Sequence, residues 1–436
     1  MQDPNFDKLI GHLEDIELTT AHGRITQVVG MLIRAVVPNV KMGEVCLIKR
    51  EGQPLIAEVV GFTKEEVLLS PLGEMYGIGP SSEVIPTKLP LHIKVGPKLL
   101  GRVLDGLGNP LDIDTKGELE TETTYPIINS PPDPLKRSMV KEPISVGIRA
   151  IDGILTCGKG QRIGIFAAAG GGKSTLLGMI ARYAIADINV ISLIGERGRE
   201  VREFIENDLG QEGLARSVII VSTSDQAAQL RLNAAYVGTA IAEYFRAQGK
   251  NVILMMDSVT RFARARREVG LAAGEPPARA GYTPSVFATL PRLLERSGNS
   301  EEGSITAFYT ILVAGDDINE PVSDEVRSIV DGHFILSSEL ARKNHYPAID
   351  ILQSVSRVMP AVTTREHQQQ ASRIREVLAN YKKIEVLLRI GEYKPGSDKD
   401  SDFAIKSIDK VNRYLKQKVD EKCTLQETLT QLQLVL

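Results

Sequence analysis

The chain has 436 residues, too many for one ordinary core, so two or three domains are expected. With 42% hydrophobic and 25% charged residues it has the make-up of a globular protein, and no apolar run is long enough to cross a bilayer. A net charge of −3 supplies no electrostatic footprint for nucleic acid, and Cys46, Cys157 and Cys423 lie too far apart for a disulfide framework or a structural zinc. The first residues, MQDPNFDKLI, have neither the basic nor the apolar region of a secretion signal, so a cytosolic location is expected.

From Gly23 to about Leu91, short β-branched runs (GRITQVVG, GEVCLIKR, PLIAEVVGF, EVLLSPL) are separated by Gly, Pro and Lys/Glu turns. This spacing predicts a small antiparallel barrel or sandwich, assigned to residues 1–92. The stretch Pro126 to Pro134 (PIINSPPDP) is too rich in proline for regular structure and is read as a surface connection.

From about Gly147 to Leu352 the pattern changes to apolar runs (RIGIF, NVISLI, SVIIVS, NVILMM, SITAFYTILV) alternating with helical segments such as Ser174 to Ile185 and Gln226 to Gln248. Strands buried on both faces and joined by helices predict a mainly parallel sheet, within a central α/β domain spanning 93–360. After Pro360 the strand patterns cease. Gln368 to Ile390, Asp402 to Gln417 and Leu425 to Leu436 read as amphipathic helices, a helical C-terminal domain over 361–436. Leu425, Leu429 and Leu432 share one helical face, which suits either core packing or a partner.

The most informative segment is RIGIFAAAGGGKST, Arg162 to Thr175, in which a strand runs through a glycine-rich turn into a helix. Gly170, Gly171 and Gly172 let backbone amides converge on phosphate oxygens, and the helix N-terminus adds partial positive charge. In this phosphate-loop pattern Lys173 reaches the β- and γ-phosphates, while the Ser174 hydroxyl, followed by Thr175, ligates Mg²⁺. Ala167 stands where the first glycine is usual, at the strand end, where a positive φ is not required. Asp257 closes NVILMMD and supplies the carboxylate that a bound metal needs on a neighbouring strand. Glu196, in GERGRE after NVISLI, can polarise an attacking water, and Glu200 lies one helical turn further on.

Together these residues place the chain close to a known family. It resembles the type III secretion and flagellar export ATPases, themselves similar to the α and β subunits of rotary ATP synthases. The resemblance is carried by GPKLLGRVLDGLGNPLD (Gly96 to Asp112), SVGIRAIDGILTCGKGQRIGIFAAAGGGKST (Ser145 to Thr175) and LIGERGREVREFI. It continues in DSVTRFARARREVGLAAGEPPARAGYTPSVFATLPRLLERSG (Asp257 to Gly298), DGHFILS and PAIDILQSVSR (Pro347 to Arg357). GEPPARAGYTPSVF and LPRLLERSG are similar to the export branch in particular.

The resemblance implies a multidomain α/β fold with an N-terminal β-barrel, a central RecA-like domain and C-terminal helices. It also implies roles: Lys173 and Ser174 on phosphate and Mg²⁺, Glu196 on the attacking water, with Arg197 supporting it. Arg261 would touch the γ-phosphate, Tyr346 would stack on adenine, and Arg357 would be a finger completing the neighbouring subunit's site. One chain that carries loop, carboxylates and finger can make every interface of a homohexamer catalytic. The implied activity is Mg²⁺-dependent ATP hydrolysis that drives protein export, releasing chaperones and unfolding cargo, at the inner face of the cell membrane beside an export gate. Stalk and regulator proteins would be the partners, with the segment Leu271 to Ala280, which reads equally as a surface turn, facing a central channel. The alternatives are a subunit of a rotary proton- or sodium-linked ATPase and a polynucleotide translocase; the charge speaks against the second. Flagellar and host-directed export share these motifs.

Overall fold

A computed structural model describes residues 22–121, 123–168, 170–314 and 318–435. The first 21 positions of the region expected to form the barrel therefore lie outside the described residues.

The N-terminal unit is a closed six-stranded antiparallel barrel. Its strands are β1 (Gly23–Val29), β2 (Leu32–Val36), β3 (Glu44–Ile48), β4 (Leu55–Phe62), β5 (Val67–Pro71) and β6 (Glu83–Pro90), in the order β1-β2-β5-β4-β3-β6. Alternation sends Leu55, Ala57 and Val59 of β4 inward, where they meet Ile33, Ile48 and Leu69. Two strands go beyond the four apolar runs. β2 follows β1 through a turn at Gly30, so VVGMLIRAVV reads as one run although it is a hairpin. β6 contains Pro86 and Pro90, yet it pairs with β1 only through Val84 and Glu83, so both prolines lie beyond that ladder.

The second unit is built on a nine-stranded sheet. In chain order its main strands are β7 (Val103–Leu104), β8 (Arg162–Ala167), β9 (Ile188–Glu196), β10 (Ser217–Thr223), β11 (Asn251–Asp257), β12 (Ser304–Leu312), β13 (Gly332–Leu336) and β14 (Val355–Ser356). The spatial order is β14-β13-β8-β12-β11-β9-β10-β7, parallel except for β14 and the short Gly298–Asn299 strand that flanks β12. β9, β11 and β12 are buried along nearly their whole length, as their unbroken apolar runs predict. Ala167 is fully buried and pairs with Leu312 and Leu336, an extended strand-end position that tolerates a Cβ.

The helices that matter below are α1 (Arg149–Ile154), α2 (Lys173–Tyr183), α3 (Gly198–Glu203), α4 (Ala228–Arg246), α5 (Val259–Ala272), α6 (Arg365–Arg389), α7 (Lys399–Leu415) and α8 (Leu425–Val435). Ile374 and Val377 of α6, Val411 and Leu415 of α7 and Leu432 of α8 join Ile151 and Ile154 of α1 in the same apolar core as Ile165 and Leu177. The apolar face of α8 is thus core: Leu432 is buried and Leu429 packs against it. Of the proline-rich connection, Ile128 is exposed, whereas Ile127 is buried and its carbonyl accepts a hydrogen bond from Arg296. All three cysteines are buried thiols. Among the described residues no helix is long and apolar enough to cross a membrane.

Candidate active site

Parallel strands bring their carboxyl ends to one edge of the sheet, and that edge carries the polar residues singled out above. The chain leaves β8 at Ala167, turns through Gly170 to Gly172 and enters α2 at Lys173. Gly172 caps the helix in the left-handed region (φ 79°), which a side chain would resist. The first intrahelical bond runs from Leu176 N–H to the Gly172 carbonyl, so the N–H groups of Lys173, Ser174 and Thr175 precede the helical ladder at its positive end. That is the backbone geometry a polyphosphate needs.

Lys173 Nζ lies 2.5 Å from Asp257 Oδ1 and 3.5 Å from Glu196 Oε1. Burial opposes the lysine's charge, but the two carboxylates more than offset it and hold its pKa above the ordinary value. Asp257 is itself held by the Thr310 hydroxyl, which donates to Oδ1 at 2.7 Å from the adjacent strand β12. Thr310 was not among the predicted site residues. Thr310 is one of several hydroxyl residues on its strand, with Ser304, Thr306 and Tyr309, so its type alone did not mark it out.

Glu196 ends β9 and is almost wholly buried. Burial raises its pKa, Asp257 and a carboxyl hydrogen bond to Glu200 raise it further, and Lys173 and Arg261 pull against them. Arg261, in the first turn of α5, donates from Nη2 to Glu196 Oε2 at 3.2 Å. Its stem crosses the backbone of Gly195 (φ 67°), where a Cβ would sit 2.9 Å from Arg261 Cδ, so only glycine lets the arginine reach the carboxylate. Arg261 Nε is buried without a hydrogen-bond partner among the described residues, a donor left over beside the site. Arg197 turns outward and donates to Glu200 Oε1 at 2.9 Å, so it touches Glu196 only through that residue.

Ser174, Glu196, Glu200, Phe204 and Asp257 line one narrow cleft beside the loop. Its polar groups are hard oxygen donors, which suit Mg²⁺. Among the described residues no group of three or more His, Cys, Asp or Glu could hold a metal by itself.

Tyr346 stands at the mouth of the loop. A Cβ on Gly172 would be 3.4 Å from Tyr346 Cε1, so the ring lies against the loop, with 41% of the residue still exposed. Lys173, Ser174, Glu196, Arg261, Asp257 and Tyr346 are thus brought together within one chain. Arg357 is not. It follows the edge strand β14 with its side chain exposed, and its Nη1 donates to the Val330 carbonyl at 3.3 Å.

Residues 147–356 match the nucleotide-binding domain of the ATP synthase alpha/beta family, and residues 25–88 match the beta-barrel domain of that family. Residues 363–434 match the T3SS EscN ATPase C-terminal domain. The chain is 53% identical over 94% of its length to the type 3 secretion system ATPase of Xanthomonas euvesicatoria, covering 92% of that protein. It is 52% identical over 96% of its length to the flagellum-specific ATP synthase of Bacillus subtilis, covering 97% of that protein. Among solved structures, the assembled ATPase EscN of the enteropathogenic E. coli type III secretion system superposes with a TM-score of 0.90. It is 47% identical, over 95% of this chain and 99% of that one. EscN in complex with its central stalk EscO superposes with a TM-score of 0.88 over the same shares at the same identity. The C-terminal match and these relatives favour the export reading over the ion-linked rotary one: the chain is an ATPase and belongs to the type III secretion and flagellar export ATPase family.

Proposed function

We propose that this chain hydrolyses Mg²⁺-bound ATP as one subunit of a homohexameric ring and so energises protein export, releasing chaperones and unfolding cargo. The observation that carries the ring is the separation of Arg357 from Lys173, Glu196 and Asp257. A cation exposed on an edge strand, away from its own chain's phosphate loop, is free to complete a neighbour's.

In this reading Gly170, Gly171 and Gly172 and the amides opening α2 cradle the phosphates, and Lys173 moves from Asp257 onto them. Ser174 and Asp257 would hold Mg²⁺, which supplies neutralisation of phosphate charge, with Thr175 beside them. Glu196 takes a proton from the attacking water, and burial keeps the carboxylate a strong enough base for that task. Arg261 offers its unpaired Nε to the γ-phosphate, and Tyr346 stacks its free ring on adenine. Arg357 of the adjacent copy neutralises the charge that develops as the γ-phosphoryl group leaves.

By likeness to EscN, solved both assembled and with its stalk EscO, a stalk protein is expected in the ring's centre, near the exposed Leu271 to Ala280 segment. The barrel (1–92) would tie copies into the ring, the central region (93–360) would turn over nucleotide, and the helices (361–436) would receive chaperone and cargo. Regulator proteins and the export gate would hold the ring peripherally at the cytoplasmic face of the membrane.

The test is native mass with a non-hydrolysable ATP analogue, measured beside turnover in mixtures of wild-type and Arg357→Ala chains. A shared finger is worth about 10³ to 10⁵ in turnover, so Arg357→Ala subunits should depress activity in proportion to the interfaces they break. A fully active monomer, or a mixture of Arg357→Ala and Glu196→Ala chains that recovers no turnover over either variant alone, would overturn the reading.

A further inference from the structure

One buried residue ties the mouth of the nucleotide site to the C-terminal helices. Beyond the end of α7 the chain turns at Gln417, which is only 5% exposed. Its Oε1 accepts from Arg149 N–H at 2.8 Å, and its Nε2 donates to the carbonyls of Gly147 at 2.8 Å and Glu421 at 2.7 Å. The side-chain amide is thereby committed to the start of α1 on one side and to the α7–α8 connection on the other. The backbone N–H of Gln417 points a third way, donating to the Tyr346 carbonyl at 2.9 Å.

Both platforms under Gln417 are held by further hydrogen bonds. Asp152 fixes the turn before α1 by accepting from the Ser145 hydroxyl and from the N–H groups of Val146 and Gly147. Arg149 reaches across to the α7 end, donating to the Tyr414 carbonyl at 2.9 Å and pairing with Glu421. On its other flank, Tyr346 is bounded by the β13 side of the sheet. Leu336 bridges Ile349, Ser337 N–H donates to the Ala348 carbonyl at 2.8 Å, and His345 N–H donates to the Leu340 carbonyl at 3.0 Å. Tyr346 thus hangs between the sheet edge and Gln417, with its ring over Gly172.

We propose that Gln417 is a positioning residue for the base end of the site. It sets where Tyr346 presents its ring, so that a displacement of α7 and α8 changes nucleotide affinity through the base and not through the phosphates. The inference rests on the reading of Tyr346 as the base-stacking residue. Its selectivity follows from connectivity, because the bonds of Gln417 go to Gly147, Arg149, Tyr346 and Glu421, and among the described residues none goes to the phosphate loop, Glu196 or Asp257.

The experiment compares binding of two probes to the full chain by titration calorimetry: a magnesium-loaded non-hydrolysable ATP analogue, and magnesium tripolyphosphate, which has no base. Gln417→Ala should weaken the analogue about fivefold to thirtyfold while moving tripolyphosphate by less than about twofold, and in a Tyr346→Ala background it should add nothing for either probe. Gln417→Glu keeps the acceptor for Arg149 but loses both donations, so it should shift the same ratio and serves where the alanine variant does not fold. Equal weakening of both probes, no weakening of either, or an undiminished effect in the Tyr346→Ala background would each overturn the proposal. If Tyr346→Ala alone leaves the ratio of the two affinities unchanged, the base-stacking reading itself falls and the proposal with it.

Discussion

The ammonium of Lys173 rests on Asp257 at 2.5 Å, with Glu196 3.5 Å away. The lysine that the loop offers to a triphosphate is thus already neutralised, and binding must exchange one set of oxygens for another. The exchange sets the free energy of phosphate binding as a difference between two well-satisfied states.

Lys173→Met should abolish nucleotide binding and also destabilise the free protein. It leaves two buried carboxylates facing each other with only Arg261 nearby, a loss of about 3–5 kcal/mol for an uncompensated buried charge. Losing Lys173 would push the Glu196 pKa, already raised by burial, further above its unfolded value, so the loss should grow as pH rises and shrink where Glu196 takes up its proton. Denaturant unfolding of the nucleotide-free variant at pH 5 and pH 8 measures both parts; an equal loss at the two pH values would show that the pair is not the cause.

Glu196→Gln should retain nucleotide affinity and lose hydrolysis by about 10² to 10⁴, the usual worth of a general base. Burial and Asp257 hold the Glu196 pKa above the ordinary carboxylate value. A base works unprotonated, so the acid limb of kcat/KM for the wild type should fall above the normal Glu range as pH is lowered. A pH-rate profile read beside an equilibrium binding curve checks the two claims separately.

Arg296 and Glu243 form a doubly hydrogen-bonded ion pair, at 2.8 and 2.7 Å, with both side chains only 2% exposed. The third guanidinium nitrogen of Arg296, Nη1, donates to the Ile127 carbonyl at 2.7 Å. Glu243→Gln should cost about 3–5 kcal/mol, because it strands a buried guanidinium. Arg296→Met combined with Glu243→Leu should cost less than either single change, which unfolding of the three variants would reveal.

His345 is buried, and burial followed by the nearby Lys416 lowers its pKa to about 4. Its folded-state pKa lies below the unfolded value of about 6.5, so its neutral form contributes stability that is complete above that pH. The contribution should disappear as pH falls from about 6.5 to 4, up to ~3 kcal/mol. His345→Gln should flatten this part of the stability curve, measurable by thermal melts across the range.

Much of this architecture was legible before any coordinates. The barrel's alternation, the double-sided strands and the loop from Ala167 to Lys173 announce themselves because each is a local pattern. Gly195 and Thr310 do not, since their work is to meet Arg261 and Asp257, residues distant in sequence. The strand from Glu83 to Pro90 was hidden by its prolines, and the hairpin at Gly30 by a run of apolar residues. The three leucines of α8 could face core or partner on periodicity alone, and the packing against α1 settles Leu429 and Leu432 as core.

The order of strands has a consequence for how the protein comes into being. β8, which delivers the phosphate loop, lies between β12 and β13, both encoded far downstream. A chain still emerging from the ribosome therefore carries the loop on a strand with neither neighbour in place until β12 and β13 have been made. Nucleotide is therefore expected to bind only once both strands are present, which binding to ribosome-stalled chains ending before and after Leu336 would check.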